Sequence, residues 1–111
     1  MTIELSNPED SKLVVLAKAT RARTGAAQGA ALRDLDGRTY AGATVDLPSL
    51  QISALDVCIA MAVASGAKGA EAAVVLGEGS TELDALRDFA GAGVPVHLGS
   101  SSGQIAESRS T

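Results

Sequence analysis

A chain of 111 residues has room for one core and too little for two, and its apolar share of 46% is largely alanine, with no Trp, one Phe and one Tyr. A net charge of −4, with no basic cluster beyond Arg21/Arg23, excludes the Lys/Arg stripe of a nucleic-acid binder. No stretch approaches ~18 uninterrupted apolar residues and MTIELSNPED lacks a positive start and an apolar centre, so neither a membrane span nor a secretory signal is expected.

Small side chains bury little area each, and at ~25 cal/mol per Å2 an alanine-rich core is thin for its length. Burial between subunits, as a dimer or tetramer of identical chains, is therefore expected. The lone cysteine, Cys58, cannot close an internal disulfide, and the cytoplasm is the expected compartment.

Along the chain, Ser6-Asn7-Pro8-Glu9-Asp10 reads as a helix start. Ser6 with Glu9 fits a capping box, and Asn7 as N-cap before Pro8 at the first helical position fits nearly as well. Leu13, Leu16, Ala17 and Thr20 recur at helical spacing, and the helix is predicted to end around Arg23–Gly25. Asp36-Gly37 signals a two-residue hairpin of type I′, which needs positive φ at both central residues, between strands at 27–34 and 38–45. Pro48-Ser49 then opens a predicted helix over 49–65, ended by Gly66 and Gly69. Its residues are apolar nearly all round, as in a helix covered on several sides. The run 70–78 suits a buried strand, Thr81 or Ser80 caps a third helix with Leu83, Leu86, Phe89 and Ala90 on one face, and 94–98 forms a last strand. Residues 99–111 are serine-rich and without periodicity, and are expected to be a disordered tail to a domain of residues 1–98. Helix, hairpin, helix, strand, helix, strand gives an α/β fold, a three-layer αβα sandwich around a mixed sheet.

That order, with five short motifs, resembles the small homotetrameric cytidine deaminases. Gln28-Gly29-Ala30-Ala31-Leu32 stands for the family's Val-Gly-Ala-Ala-Leu, and Asp36-Gly37 for its hairpin. Gly42-Ala43-Thr44-Val45-Asp46 stands for Gly-x-Asn-Val-Glu, Ala62-Val63-Ala64-Ser65-Gly66 for Ala-Val-x-x-Gly, and Pro95-Val96-His97-Leu98 for Pro-Val-Tyr-Leu. The likeness spans residues 11 to 98. It implies a zinc held by Cys (or His) of a Cys-Ala-Glu at the start of the central helix and by two Cys of a Pro-Cys-x-x-Cys before the next helix. The Glu would move protons while zinc-bound hydroxide attacks C4 of cytosine.

The chain departs from the pattern at each of those places. Ser53-Ala54-Leu55 stands on Cys-Ala-Glu: serine is a poor zinc ligand beside thiolate, and leucine takes no proton. The stretch 77-GEGSTELDAL-86 has no cysteine, and one Cys and one His in all cannot supply three Cys/His ligands. No catalytic residue, metal or other cofactor is therefore assigned. Where the resemblance implies ribose-binding Asn and Glu, Thr44 and Asp46 stand, and Ala26 or Ala27 replaces an aromatic at the base. Thr44, Asp46 and Ser53 are the candidate remnants of a ligand site.

The remaining candidates favour structural roles. Cys58 reads as a small hydrophobe and His97 as surface or core filler; Asp56 reads as a partner of a helix start. Gly77-Glu78-Gly79 lacks the rest of a phosphate loop. Thr44 and Asp46 suit a loop or cap as well as hydroxyl recognition. Three functions stay open: a zinc-free structural or interaction subunit, with a further protein partner possible; a nucleoside-like ligand binder; or a working deaminase converting cytidine to uridine.

Overall fold

Asn7, not Ser6, caps the first helix of the computed structural model, which describes residues 2–111. The Asn7 carboxamide oxygen accepts from Glu9 N at 2.9 Å, Pro8 opens helix α1 (Pro8–Thr24), and Gly25 closes it in the left-handed region. The buried stripe Leu13, Ala17 and Thr20 faces the sheet. Contact is close because strand β1 (Gln28–Asp34) carries Gly29, where any side chain would collide with the Ala17 carbonyl and the Arg21 Cβ.

β1 turns into β2 (Thr39–Ala43) through Leu35-Asp36-Gly37-Arg38. Only Gly37 takes positive φ, and Gly37 N donates to the Asp34 carbonyl at 3.1 Å. The turn is thus an unprimed one followed by a left-handed glycine, in place of the expected type I′. The Asp34 side chain explains the difference. Its carboxylate accepts from Asp36 N and Arg38 N, each at 2.9 Å, and from the Tyr40 hydroxyl at 2.8 Å, which winds the loop around it.

The expected long helix over 49–65 is corrected. Val45–Leu47 and Leu50–Ile52 form a small antiparallel hairpin, β3 and β4, with Pro48-Ser49 as its two-residue turn. Helix α2 (Ala54–Ala64) begins only after Ser53, whose hydroxyl accepts from Asp56 N at 3.1 Å. It is covered on one side: Ala54, Leu55, Cys58, Ile59 and Ala62 are buried while Met61 and Val63 are exposed. Gly42 lets this helix approach β2, for a Cβ there would lie 2.8 Å from Val57 Cγ1.

Strand β5 (Ala70–Gly77) leads to α3 (Asp84–Ala90), which has no side-chain cap. Neither Ser80 nor Thr81, the two candidates for that cap, serves as one, and Thr81 lies in the preceding loop with its carbonyl accepting from Arg109 Nη1. After β6 (Pro95–Gly99) comes the second correction: Ile105–Ser110, expected to be disordered, form strand β7. The segment lacks apolar periodicity because it is an edge strand held by backbone pairing to β6, with Ile105 as its buried residue and Thr111 bonded to Val94 and Gly91.

The main sheet runs β2-β1-β5-β6-β7, with β5 and β6 parallel through α3 and the other neighbours antiparallel. Alternate residues feed two cores: Ala30, Leu32, Ala73 and Val75 meet α2 and α3, while Ala31, Ala72, Val74 and Leu76 meet α1. The architecture is the αβα sandwich with a mixed sheet. No helix is long and apolar enough to cross a membrane among the described residues.

Candidate functional site

The starts of α2 and α3 lie on one face of the sheet. Ser53 Oγ is occupied as the N-cap, accepting from the Asp56 backbone amide, and Asp56 stands in the first turn. Ala54 and Leu55 point inward and share one buried cluster with Leu83 and Leu86 from the start of α3. Cys58, one turn further along α2, is buried in the same cluster, and burial pushes its thiol up to about 12. A thiol so far from its anion is neither a ready nucleophile nor a ready ligand. The chain's histidine is on β6 and faces the opposite side of the sheet, toward α1. Hydrocarbon, one capped hydroxyl and one protonated thiol do not fit a zinc ion, and among the described residues no three His, Cys, Asp or Glu side chains converge as a metal site would need.

Thr44, Asp46 and Ser53 do come together. With Val45, Gln51 and Ile52 they line an open concavity of about 340 Å3 beneath the β3–β4 hairpin. Two of the three are already engaged: Thr44 Oγ1 accepts from Gln28 N at 3.0 Å and donates to Gln28 O at 3.3 Å, and Ser53 caps α2. Asp46 is exposed on β3.

A second concavity, of about 440 Å3, opens beside the loop that carries Gly79. Gln28 Nε2 donates to Gly79 O, Arg109 Nη1 donates to Thr81 O, and Glu82 and Glu107 share the lining, so the site does not suit a phosphate.

His97, expected as surface or core filler, lies in the core with two polar partners. It is buried under the first turns of α1, with Nε2 3.0 Å from Asp10 Oδ2 and Nδ1 2.7 Å from Ser108 Oγ. Asp10 also receives Arg33 Nη2 at 2.9 Å, and Arg33 Nε reaches Glu71 at 3.3 Å. Arg33 Nη1 is buried without an acceptor. Sequence spacing offers no route to this network, because its members come from α1, β1, β5, β6 and β7.

With this geometry in view, comparison with known proteins finds that a family model described as cytidine deaminase-like matches residues 6–103. A cytidine deaminase from Burkholderia pseudomallei superposes with a TM-score of 0.72 and 26% identity, over 90% of this chain and 89% of that one. The enzyme from Mycobacterium leprae gives 0.71 at 18% identity over 90% and 93% of the two chains. That from Bacillus anthracis gives 0.67 at 16% over 94% and 84%. These last two likenesses concern the fold alone. No curated protein sequence matches the chain.

Proposed function

Because this chain belongs to the cytidine deaminase-like family, we propose that it is a zinc-free member that has lost deamination and serves as a structural or interaction subunit in a homo-oligomer. One observation carries the reading. Where the resemblance puts a thiolate, a proton-transferring acid and a cysteine pair, the chain has a helix-capping Ser53 and the buried cluster of Leu55, Leu83 and Leu86. Leucines there exclude the water and the cation that the reaction requires.

The interaction role rests on what the fold leaves uncovered. Val63 on the outer side of α2 is 55% exposed and Met61 36%, while Leu47 and Leu50 at the hairpin tip are 56% and 49% exposed. Each is already about half buried, so covering the rest between subunits supplements a thin core by about half of the ~1.5–3 kcal/mol that full burial of such a side chain contributes. Incubation with cytidine and excess zinc, followed by loss of the cytosine absorbance, tests the first part: no turnover above buffer is expected, and steady uridine formation would refute it. Light scattering tests the second, with a strict monomer as the contrary result.

A second reading is favoured by the convergence of Thr44, Asp46 and Ser53 on one concavity. A nucleoside held there would raise thermal stability, by about 2.7 kcal/mol at 100 times its Kd. An unchanged melting curve with saturating nucleosides excludes it.

A further inference from the structure

The side chains best placed for chemistry lie on the α1 face, away from the starts of α2 and α3. The β6–β7 ladder pairs His97 with Ser108. Thr111 N donates to Val94 O, so by the two-residue alternation of an antiparallel ladder Arg109 and Glu107 turn their amides toward β6. His97 and Ser108 are then a non-hydrogen-bonded pair, the kind in which side chains approach most closely, and Pro95, which has no N–H to give, occupies the neighbouring one opposite Ser110. This register delivers the 2.7 Å contact from Ser108 Oγ to His97 Nδ1. It also turns the Ser108 amide away from β6, toward the outer edge of β7, along which Ile3 bridges Ile105 and no further strand of the sheet lies.

The other half of the relay is fixed from below. A carboxylate only accepts, so His97 donates Nε2–H to Asp10 Oδ2, and in the neutral imidazole the Nδ1 lone pair faces the Ser108 hydroxyl. Asp10 is held by Arg33 through its other oxygen. Asp10, Arg33 and His97 are buried, while Ser108 is exposed on β7. On the same side of the sheet, further along β7, is a concavity of about 250 Å3 whose apolar walls are Ile3, Leu5, Val14 and Ile105 and whose polar flank includes Ser11, the chain neighbour of Asp10. It is linked to Ser108 through β7 and to Asp10 through α1. Ile105 packs in the α1-side core, so it shares a face of β7 with Ser108.

We propose that Ser108, His97 and Asp10 form a hydrolytic site, separate from the position implied by the family, that acts on small activated esters with a short apolar acyl group. Ser108 is the nucleophile, His97 the general base and acid, and Asp10 a positioning residue; the roles, not the chain order, define such a triad. Ser108 Oγ forms a bond to the ester carbonyl carbon as its proton passes to His97 Nδ1, and the carbonyl oxygen takes up the negative charge beside the Ser108 amide. Collapse breaks the bond to the leaving oxygen, which takes the proton from Nδ1 and departs as the alcohol. Water then adds to the acyl-serine, gives a proton to Nδ1, and Ser108 leaves with that proton. The products are an acid and an alcohol, with no change of oxidation state. The acyl group occupies the concavity along Ile105.

The probes are p-nitrophenyl butyrate and a fluorophosphonate, applied to the intact chain. The fluorophosphonate is expected to attach to Ser108 and not to Ser110, as read by mass spectrometry of the β7 peptide. Ser108→Ala is expected to slow p-nitrophenolate release by about 100-fold or more, the usual share of a nucleophile–base pair, while Ser110→Ala matches the unaltered chain. Ser108 is exposed, so its variant folds whether or not the proposal holds. Asp10→Asn is expected to lower kcat with KM unchanged to within about twofold, since it disturbs the ring and not the acyl pocket. An unlabelled Ser108, or a Ser108→Ala variant as fast as the parent, would overturn the proposal. Ester and cytidine turnover are separate assays, so either reading can fail alone.

Discussion

The two faces of the sheet are built from the same small residues and treat polarity in opposite ways. Under the starts of α2 and α3, Leu55, Leu83 and Leu86 close around one another, and the available oxygen of Ser53 is spent on a backbone amide. Under α1, by contrast, Asp10, Arg33, Glu71, His97 and Ser108 form a continuous chain of hydrogen bonds through a face otherwise lined by alanine, valine and leucine. The fold is carried by strand order and by glycines at close approaches, Gly29 against α1 and Gly42 against α2. The polar side chains that could carry chemistry stand on the α1 face, while leucines close the face under α2 and α3.

The comparison can be broken most forcefully at the charged face. Arg33 and Asp10 are both nearly excluded from water, so Arg33→Ala strands a buried carboxylate and is expected to cost about 3–5 kcal/mol in urea unfolding. A loss below about 1 kcal/mol, the range of exposed pairs, would mean that the network is solvated and the contrast between the faces is false. Next in size is Leu86→Ala on the apolar face, expected to cost about 2–5 kcal/mol by the same measurement, because its fully buried side chain leaves a cavity among Leu55 and Leu83. A near-neutral result would indicate an open, hydrated pocket at the start of α3.

A smaller effect sharpens the picture at the β1–β2 turn. Burial raises the Asp34 carboxyl, but hydrogen bonds from Tyr40, Arg38 and Asp36 outweigh it and hold the group below its ordinary 3.8. A carboxyl depressed on folding stabilises the native state at pH values above its unfolded value, and that contribution is lost as pH falls through the lower folded value. Stability should therefore drop on acidification below about pH 4, and Asp34→Asn should flatten that limb. An unchanged acid limb in the variant would remove Asp34 as its cause.

Where local rules apply, the sequence is a good guide. Asn7-Pro8, Asp36-Gly37 and the apolar run of β5 mark elements that form within a few residues of expectation. The hairpin at 45–52 is hidden because Leu50 and Ile52 continue the apolar pattern of α2, while Ser53, the true cap, is masked by its place in a motif. The edge strand β7 is invisible to periodicity, since backbone pairing stabilises it and most of its side chains face water. His97 finds Ser108 at a separation of 11 residues and Asp10 at 87, so no window on the sequence joins them. That one Cys and one His cannot supply the three Cys/His ligands the resemblance implies is, in contrast, a matter of composition and is legible at once.

Metal content is the most direct test of that central claim. The chain produced and purified with zinc in excess, then freed of unbound ion, is expected to carry far less than one zinc per chain by mass spectrometry, and its unfolding midpoint should not move when a chelator is added. One tightly held zinc per chain, whose removal lowers the midpoint, would contradict the account.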